Sequence, residues 1–189
     1  LTVVPASLTI TANINQSKLY GAANPATYTY GVSPSISGLA ALNGTLTRVA
    51  GETVGSWAIL QNDLTTANNP NYTINYVGNN FTITAKPLTI TATVGQTKVY
   101  GVADPTSYAY TLSAPLLGSD VLAGALIRVV GETVGPYAIS QGTLTNANYD
   151  IAFVGSDFNI TKAPLTITSK PHTITYNRTA YAGGNEVVP

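Results

Sequence analysis

Apolar and polar residues alternate with a period of two along most of the chain. Leu8, Ile10 and Ala12 alternate with Thr9 and Thr11, Tyr72, Ile74 and Tyr76 with Thr73 and Asn75, and Phe81, Ile83 and Ala85 with Thr82 and Thr84. Successive side chains of a pleated strand point to opposite faces. The pattern therefore predicts antiparallel strands with one face on a core and the other in water. Gly78-Asn79-Asn80 and Gly155-Ser156-Asp157 supply turn residues for a closing hairpin. Gly55 and Gly135 precede a further strand, in which Trp57 and Ile59, or Tyr137 and Ile139, are expected to face the core. The segments SISGLAAL (35–42) and PLLGSDVL (115–122) depart from the alternation; each predicts a short helix, capped in the second by Ser119 or Asp120.

The whole pattern occurs twice. LTITAN (8–13) aligns with LTITAT (88–93), and RVAGETVGSWAI (48–59) with RVVGETVGPYAI (128–139), both at an offset of 80. Past Ala67 and Ala147 the first copy carries three additional residues, Asn68-Asn69-Pro70, and the offset falls to 77 where Tyr72 meets Tyr149. A gap of polar turn-formers is the kind a surface loop accepts. LTIT returns at 165–168, and residues 1–4 parallel the last strand of a module. The expected organisation is thus 1–7 as the end of a preceding repeat or linker, 8–85 as repeat 1, 86–162 as repeat 2, and 163–189 as a partial third repeat. A period near 80 exceeds the roughly 20–50 residues of solenoid units, so each module is expected to bury its own core. The expected fold is mainly β: two tandem, small, mainly antiparallel β-grasp-like modules, each with five or six strands and one short helix, in an elongated arrangement. They are joined by TAKPLTI (84–90), where Pro87 favours an extended linker. The tail is expected to pack against the end of the second module, or to pair with residues 1–4 or an equivalent edge in a neighbouring molecule, with HTITYN (172–177) as a return strand and 178–189 as the least ordered or most partner-dependent part.

Composition narrows the function classes. Charged residues make up 8% of the 189, against roughly 25% in ordinary globular domains, and acids and bases balance at eight each. Nothing in that balance points to nucleic acid or an anionic membrane surface. With no cysteine, disulfides, thiol catalysis and zinc–thiolate sites are excluded. No apolar run reaches the roughly 20 residues of a membrane helix, so direct membrane insertion is not expected.

Candidate chemistry is sparse. SKLYGAANP (17–25) and TKVYGVADP (97–105) repeat a tyrosine–glycine turn followed by proline. Tyr20, Gly21, Pro25, Tyr100, Gly101 and Pro105 are read as a structural turn. Its glycines take positive φ, its prolines stiffen the exit, and its tyrosines plug the core with hydroxyls reaching solvent or a backbone carbonyl. The single histidine, His172, lies outside both complete copies, which leaves no Ser–His or Cys–His pair inside a module. GETVG leads from strand to strand and offers no helix N-terminus to a phosphate. Asp104, Asp120, Asp150 and Asp157 are scattered over different loops of the second copy, a poor set for calcium. No catalytic, cofactor-binding or metal-binding residue is assigned, no cofactor is expected, and the chain is not read as an enzyme. Lys18, Glu52 and Asn71, repeated as Lys98, Glu132 and Asn148, are the residue types of a self-formed Lys–Asn amide crosslink. A hydrated, exposed Lys–Glu pair worth about 0–1 kcal/mol is the favoured reading of the same residues. Tyr28, Tyr30, Tyr108 and Tyr110 alternate in YTY and YAY, and would form either a stacking platform for a ligand or part of the core.

The ordered set LTITA, SKLYGAANP, GETVGSWAI and YVGNNFTIT, with its second copy, resembles the MBG domains of YGX type found in large bacterial surface and secreted proteins. The resemblance covers residues 8–162 as two full copies, whereas TITYNRTAYAGGNEV (173–187) departs from it. It implies a β-grasp-like fold, an extracellular location on the bacterial surface or in secreted material, and tandem arrays in adhesin-like proteins. The function expected from it is a spacer or stalk that presents a distal binding region, with neighbouring repeats of the same chain as its partners. The alternative is an adhesion module that binds a host or surface glycan or protein through exposed tyrosines.

Overall fold

The computed structural model describes residues 2–171 together with Thr173, Thr175, Tyr176 and Arg178. Its strands fall into two halves. The first holds β1 (Ala6–Ala12), β2 (Gln16–Leu19), β3 (Tyr30–Ser33), β4 (Thr47–Arg48), β5 (Gly55–Leu60), β6 (Tyr72–Val77) and β7 (Asn80–Thr84). The second holds β8 (Lys86–Ala92), β9 (Thr97–Val99), β10 (Tyr110–Leu112), β11 (Ile127–Arg128), β12 (Gly135–Ser140), β13 (Tyr149–Val154) and β14 (Ser156–Thr161). The two halves are wired alike. Each pairs a three-stranded sheet, β3-β1-β6 or β10-β8-β13, with a four-stranded one, β2-β7-β5-β4 or β9-β14-β12-β11.

The alternation places the core as expected. Leu8, Ile10 and Ala12 of β1 and Phe81 and Ile83 of β7 are buried, and Leu88, Ile90, Ala92, Phe158 and Ile160 repeat them. Ile59 and Ile139 join the two clusters from β5 and β12, so residues of both sheets meet in each core. Phe81 and Phe158 lie at the centres, each met edge-on by a tyrosine, Tyr28 or Tyr108, with ring centroids 5.4 Å apart.

Four expectations are corrected. Each half has seven strands rather than five or six, because the two-residue β4 and β11 extend the larger sheet. No helix forms at 35–42 or 115–122: Leu39 N–H donates to Ile36 O at 3.2 Å and Asp120 N–H to Leu117 O at 3.0 Å, with Gly38 and Gly118 at φ 74° and 53°. A left-handed glycine closes a turn and cannot continue a helix. With no helix to hold, the module is not a β-grasp but two small sheets closed on one core. Last, Gly78 and Gly155 do not make hairpins. β6 and β7 belong to different sheets, so the chain turns a corner, and β1–β6 and β2–β7 pair in parallel. A Cβ on Gly155 would sit 2.9 Å from the Ile139 carbonyl oxygen, which is why the corner needs glycine.

The three-residue insertion is also more than a tolerated loop. Asn69 is 5% exposed, and its carboxamide accepts from Asn43 N–H and donates to Asn43 O, both at 2.8 Å. In the second half the equivalent Ala123 makes the same two bonds with the backbone of Thr145, at 2.9 and 2.8 Å. The inserted side chain thus stands in for a peptide group. Beyond β14, residues 162–171 join no sheet, and Leu165 and Ile167 are 84% and 86% exposed. The packing expected of this segment against the second half is therefore not found. His172, Ile174 and Asn177 of the expected return strand and all of 179–189 lie outside the described residues.

Asn69→Ala leaves the Asn43 N–H and carbonyl without their partner, and is expected to destabilise the first half by about 1–2 kcal/mol. The second half should not respond, and two-transition urea unfolding read per half by NMR measures both effects.

Candidate functional site

The repeated tyrosine–glycine turn is built identically in both halves and placed differently. Tyr20 N–H donates to Thr84 O and Tyr100 N–H to Thr161 O, both at 2.8 Å, which ties each turn to the strand leaving its half. Ala22 N–H to Leu19 O, at 3.0 Å, and Val102 N–H to Val99 O, at 3.1 Å, close the turns around Gly21 and Gly101 at φ 77° and 85°. Pro25 and Pro105 follow on exposed chain.

Tyr20 packs against both hydrophobic clusters. Its ring meets Tyr149 edge-on at 5.7 Å, and its hydroxyl donates to the Asp120 carboxylate at 2.8 Å. The Tyr149 hydroxyl donates to the same carboxylate oxygen at 2.9 Å and accepts from Leu117 N–H at 2.7 Å. Val54 N–H reaches the Asn148 carboxamide oxygen at 3.2 Å. Leu117 lies directly over Gly21, where any Cβ would enter its side chain. The bond to Asp120 pushes the Tyr20 phenol up, and burial does the same for Tyr149, so both remain donors at neutral pH. The turn at 117–120, closed by Asp120 N–H on Leu117 O, presents Leu117 and Asp120 together. The Tyr20 hydroxyl therefore bonds a carboxylate of the other half, where solvent or a backbone carbonyl was expected. Tyr100 is 53% exposed, and nothing lies within 4 Å of a Cβ built on Gly101.

A second constellation flanks each turn. In the second half Lys98 bonds Asp104 at 2.6 Å and Glu132 at 2.5 Å, while Arg128 bonds both oxygens of Asp104 at 2.8 and 3.0 Å and Glu132 at 2.5 Å. The first half has Lys18 and Arg48 on Glu52, with Asn24 in the place of Asp104 and accepting from Arg48 at 2.9 Å. The Arg48 Nε then has no partner, whereas that of Arg128 bonds Asp104. Each guanidinium also lies over its central phenylalanine, at 5.5 Å for Arg48 and 5.6 Å for Arg128. Bonds from Arg128 and then Lys98 hold Asp104 well below the usual carboxylate range. Lys98 and then Arg128 lower Glu132, and Lys18 lowers Glu52. The lysine side chains are only 5% exposed, which corrects the expectation of a hydrated amine.

Lys18 and Glu52 are thus brought together, as are Lys98 and Glu132, but the asparagines bond elsewhere. Asn71 contributes its carbonyl to Ala6 N–H at 3.0 Å, and Asn148 serves the contact with Val54. Tyr28, Tyr30 and Tyr108 pack against the cores, while Tyr110 is 38% exposed. Among the described residues no three His, Cys, Asp or Glu side chains form a metal-binding group. His172 lies outside the described residues. Arg48, Arg128, Leu117 and Asp120 were not singled out for this role in the sequence. For the arginines the signal is present, in the duplicated RVAGETVG and RVVGETVG with arginine four residues before glutamate.

The sequence profile of the MBG domain (YGX type) matches residues 8–82 and again residues 88–159. No match was found among curated proteins.

Asp120→Ala removes the shared acceptor of both tyrosine hydroxyls. It is expected to let the halves reorient independently in NMR relaxation, while the stability of the first half changes by less than about 0.5 kcal/mol. The paired exchanges Asn24→Asp and Asp104→Asn should respectively stabilise the first half and destabilise the second by about 1 kcal/mol, since both sites are partly open to water. A carboxylate with a lowered folded pKa contributes stability that is present above its unfolded value, about pH 4, and lost as pH falls towards the folded value. Asp104→Asn should accordingly flatten the acid side of the second half's stability profile, measured as urea midpoint against pH.

Proposed function

The chain belongs to the MBG domain (YGX type) family, and from that premise we propose that it is a spacer segment of a bacterial surface or secreted adhesin. The family suggests a repeat module of surface adhesin-like proteins. The spacer role is our reading of how these modules are built. The observation that carries it is where the chain enters and leaves each half.

β1 lies between β3 and β6, and β7 between β2 and β5. In the second half β8 lies between β10 and β13, and β14 between β12 and β9. Tension on the chain therefore pulls every entering and leaving strand along two ladders of hydrogen bonds at once. Such a strand shears rather than unzipping from an edge. Only Ala85 separates β7 from β8, so load passes from one half to the next without a slack linker. Each half also has its own buried core, and Tyr20 alone packs against both.

The competing glycan platform finds less support, because three of its four tyrosines are committed to core packing. The work assigned to the chain is mechanical: it adds length and carries force outside the cell, with neighbouring repeats as partners.

Single-molecule pulling from the two ends tests the reading. Two separate unfolding events of similar contour length are expected, each at forces typical of sheared rather than unzipped strands. Gradual extension at low force would overturn it, and so would specific, tyrosine-dependent binding on a glycan array.

A further inference from the structure

We propose that the Tyr100–Gly101 turn is the free half of a second joint, a docking surface for a module bearing a leucine and a carboxylate at the positions of Leu117 and Asp120. This deepens the spacer reading and rests on it. The argument is that the same turn, one repeat earlier, is already seated on such a partner. Tyr20 and Gly21 make the contact from one side, with Val54 N–H beside them. Tyr100, Gly101 and Val134 are their counterparts in the second half and stand open: Tyr100, Val102 and Val134 are 53%, 56% and 47% exposed. The backbone of the two turns is the same, down to the bond from the tyrosine N–H to the leaving strand.

The chemistry of the occupant follows from the filled joint. It needs an aliphatic side chain to cover Gly101, a carboxylate to accept from the Tyr100 hydroxyl, a tyrosine ring for its edge, and a carboxamide for Val134 N–H. Leu117, Asp120, Tyr149 and Asn148 supply all four in the second half. The first half keeps Tyr72 and Asn71 but has Ser37 and Ala40 where the leucine and the aspartate would be. The occupant is therefore a module of the second-half type. The contact is head-to-tail, with different surfaces on its two sides, so filling one joint leaves another open. A short connection supplies the high effective concentration that a small contact needs.

Two three-module chains test this, made by replacing residues 163–189 with a copy of residues 86–162 or of residues 6–85. With the copy of 86–162, all three modules are expected to share one rotational correlation time, and exchange at Val134 N–H to slow by about tenfold. With the copy of 6–85, the added module should tumble separately and Val134 exchange at the rate of the parent chain. Asp→Ala at the copied Asp120, or Tyr100→Phe, which removes only a hydroxyl, should restore that rate. Independent tumbling of the 86–162 copy with its strand amides protected would overturn the proposal, as would equal coupling of both copies. Either result leaves the force measurement untouched, so the joint and the spacer role fail separately.

Discussion

β1 and β7 each carry hydrogen bonds on two edges, and they lie in different sheets. The chain enters each half through the interior of one sheet and leaves through the interior of the other, and no hairpin closes it. It crosses between the sheets just before the end, at Gly78-Asn79 and at Gly155. That crossing makes the last two strands run parallel to the first two, β6 beside β1 and β7 beside β2. It also puts the end of β7 next to the tyrosine–glycine turn that follows β2, because Tyr20 N–H is bonded to Thr84 O. The turn is thereby fixed at the point where one half hands the chain to the next. Tyr20 can reach Asp120 because the topology delivers it there.

What the sequence disclosed and what it hid follow from the range of the interactions. The alternation of Leu8, Ile10 and Ala12 with threonine is local, and one buried face follows from it directly. Duplication disclosed the repeat without any structural knowledge. Gly78-Asn79-Asn80 was ambiguous, since glycine and asparagine serve a hairpin and a sheet-to-sheet corner equally well; only the partners of Tyr72 and Phe81 decide between them. SISGLAAL departs from the alternation, which suggests a helix, but Gly38 at φ 74° closes a turn there instead. Least legible were the long-range substitutions. Asn69 replaces a peptide group that Thr145 supplies in the other copy, and Asp120 bonds a tyrosine one hundred residues away. Asn69 lies in an insertion with no counterpart and Asp120 stands opposite Ala40, so the internal alignment recorded a gap or a mismatch where the structure has a contact.

The two halves also work as a comparison of charge arrangements in one scaffold. Each places a lysine and an arginine, both 5% exposed, against a glutamate that remains mostly in water. Desolvating a cation is costly unless its donors are met, and the aliphatic stems of these side chains cover the core while their heads meet the carboxylate. Asp104 completes the set in the second half. In the first, Asn24 offers one oxygen to Arg48 and leaves Nε unmet. Two cations facing one carboxylate make a weaker ring than two facing two, and Arg48 stacks on Phe81 alone where Arg128 stacks on both Tyr137 and Phe158.

The joint inherits its direction from another difference between the copies, Ser37 and Ala40 against Leu117 and Asp120. A symmetric contact would use one surface on both partners and would end at a pair. Here the surface that gives, around Tyr20, shares no residue with the surface that receives, around Leu117 and Asp120, and each module of the second kind carries both. Direction in such a contact does not depend on the linker: reversing the order of two modules would set Ser37 and Ala40 against Tyr100, with no carboxylate for its hydroxyl and no methyl groups over Gly101. Order along the chain is thus written in a few side chains of the receiving turn, while the giving turn is held constant by its backbone. The repeated tyrosine and glycine are the constant part of the contact, and the variable residues at 37 and 40 or 117 and 120 decide whether a neighbour is clamped or merely tethered.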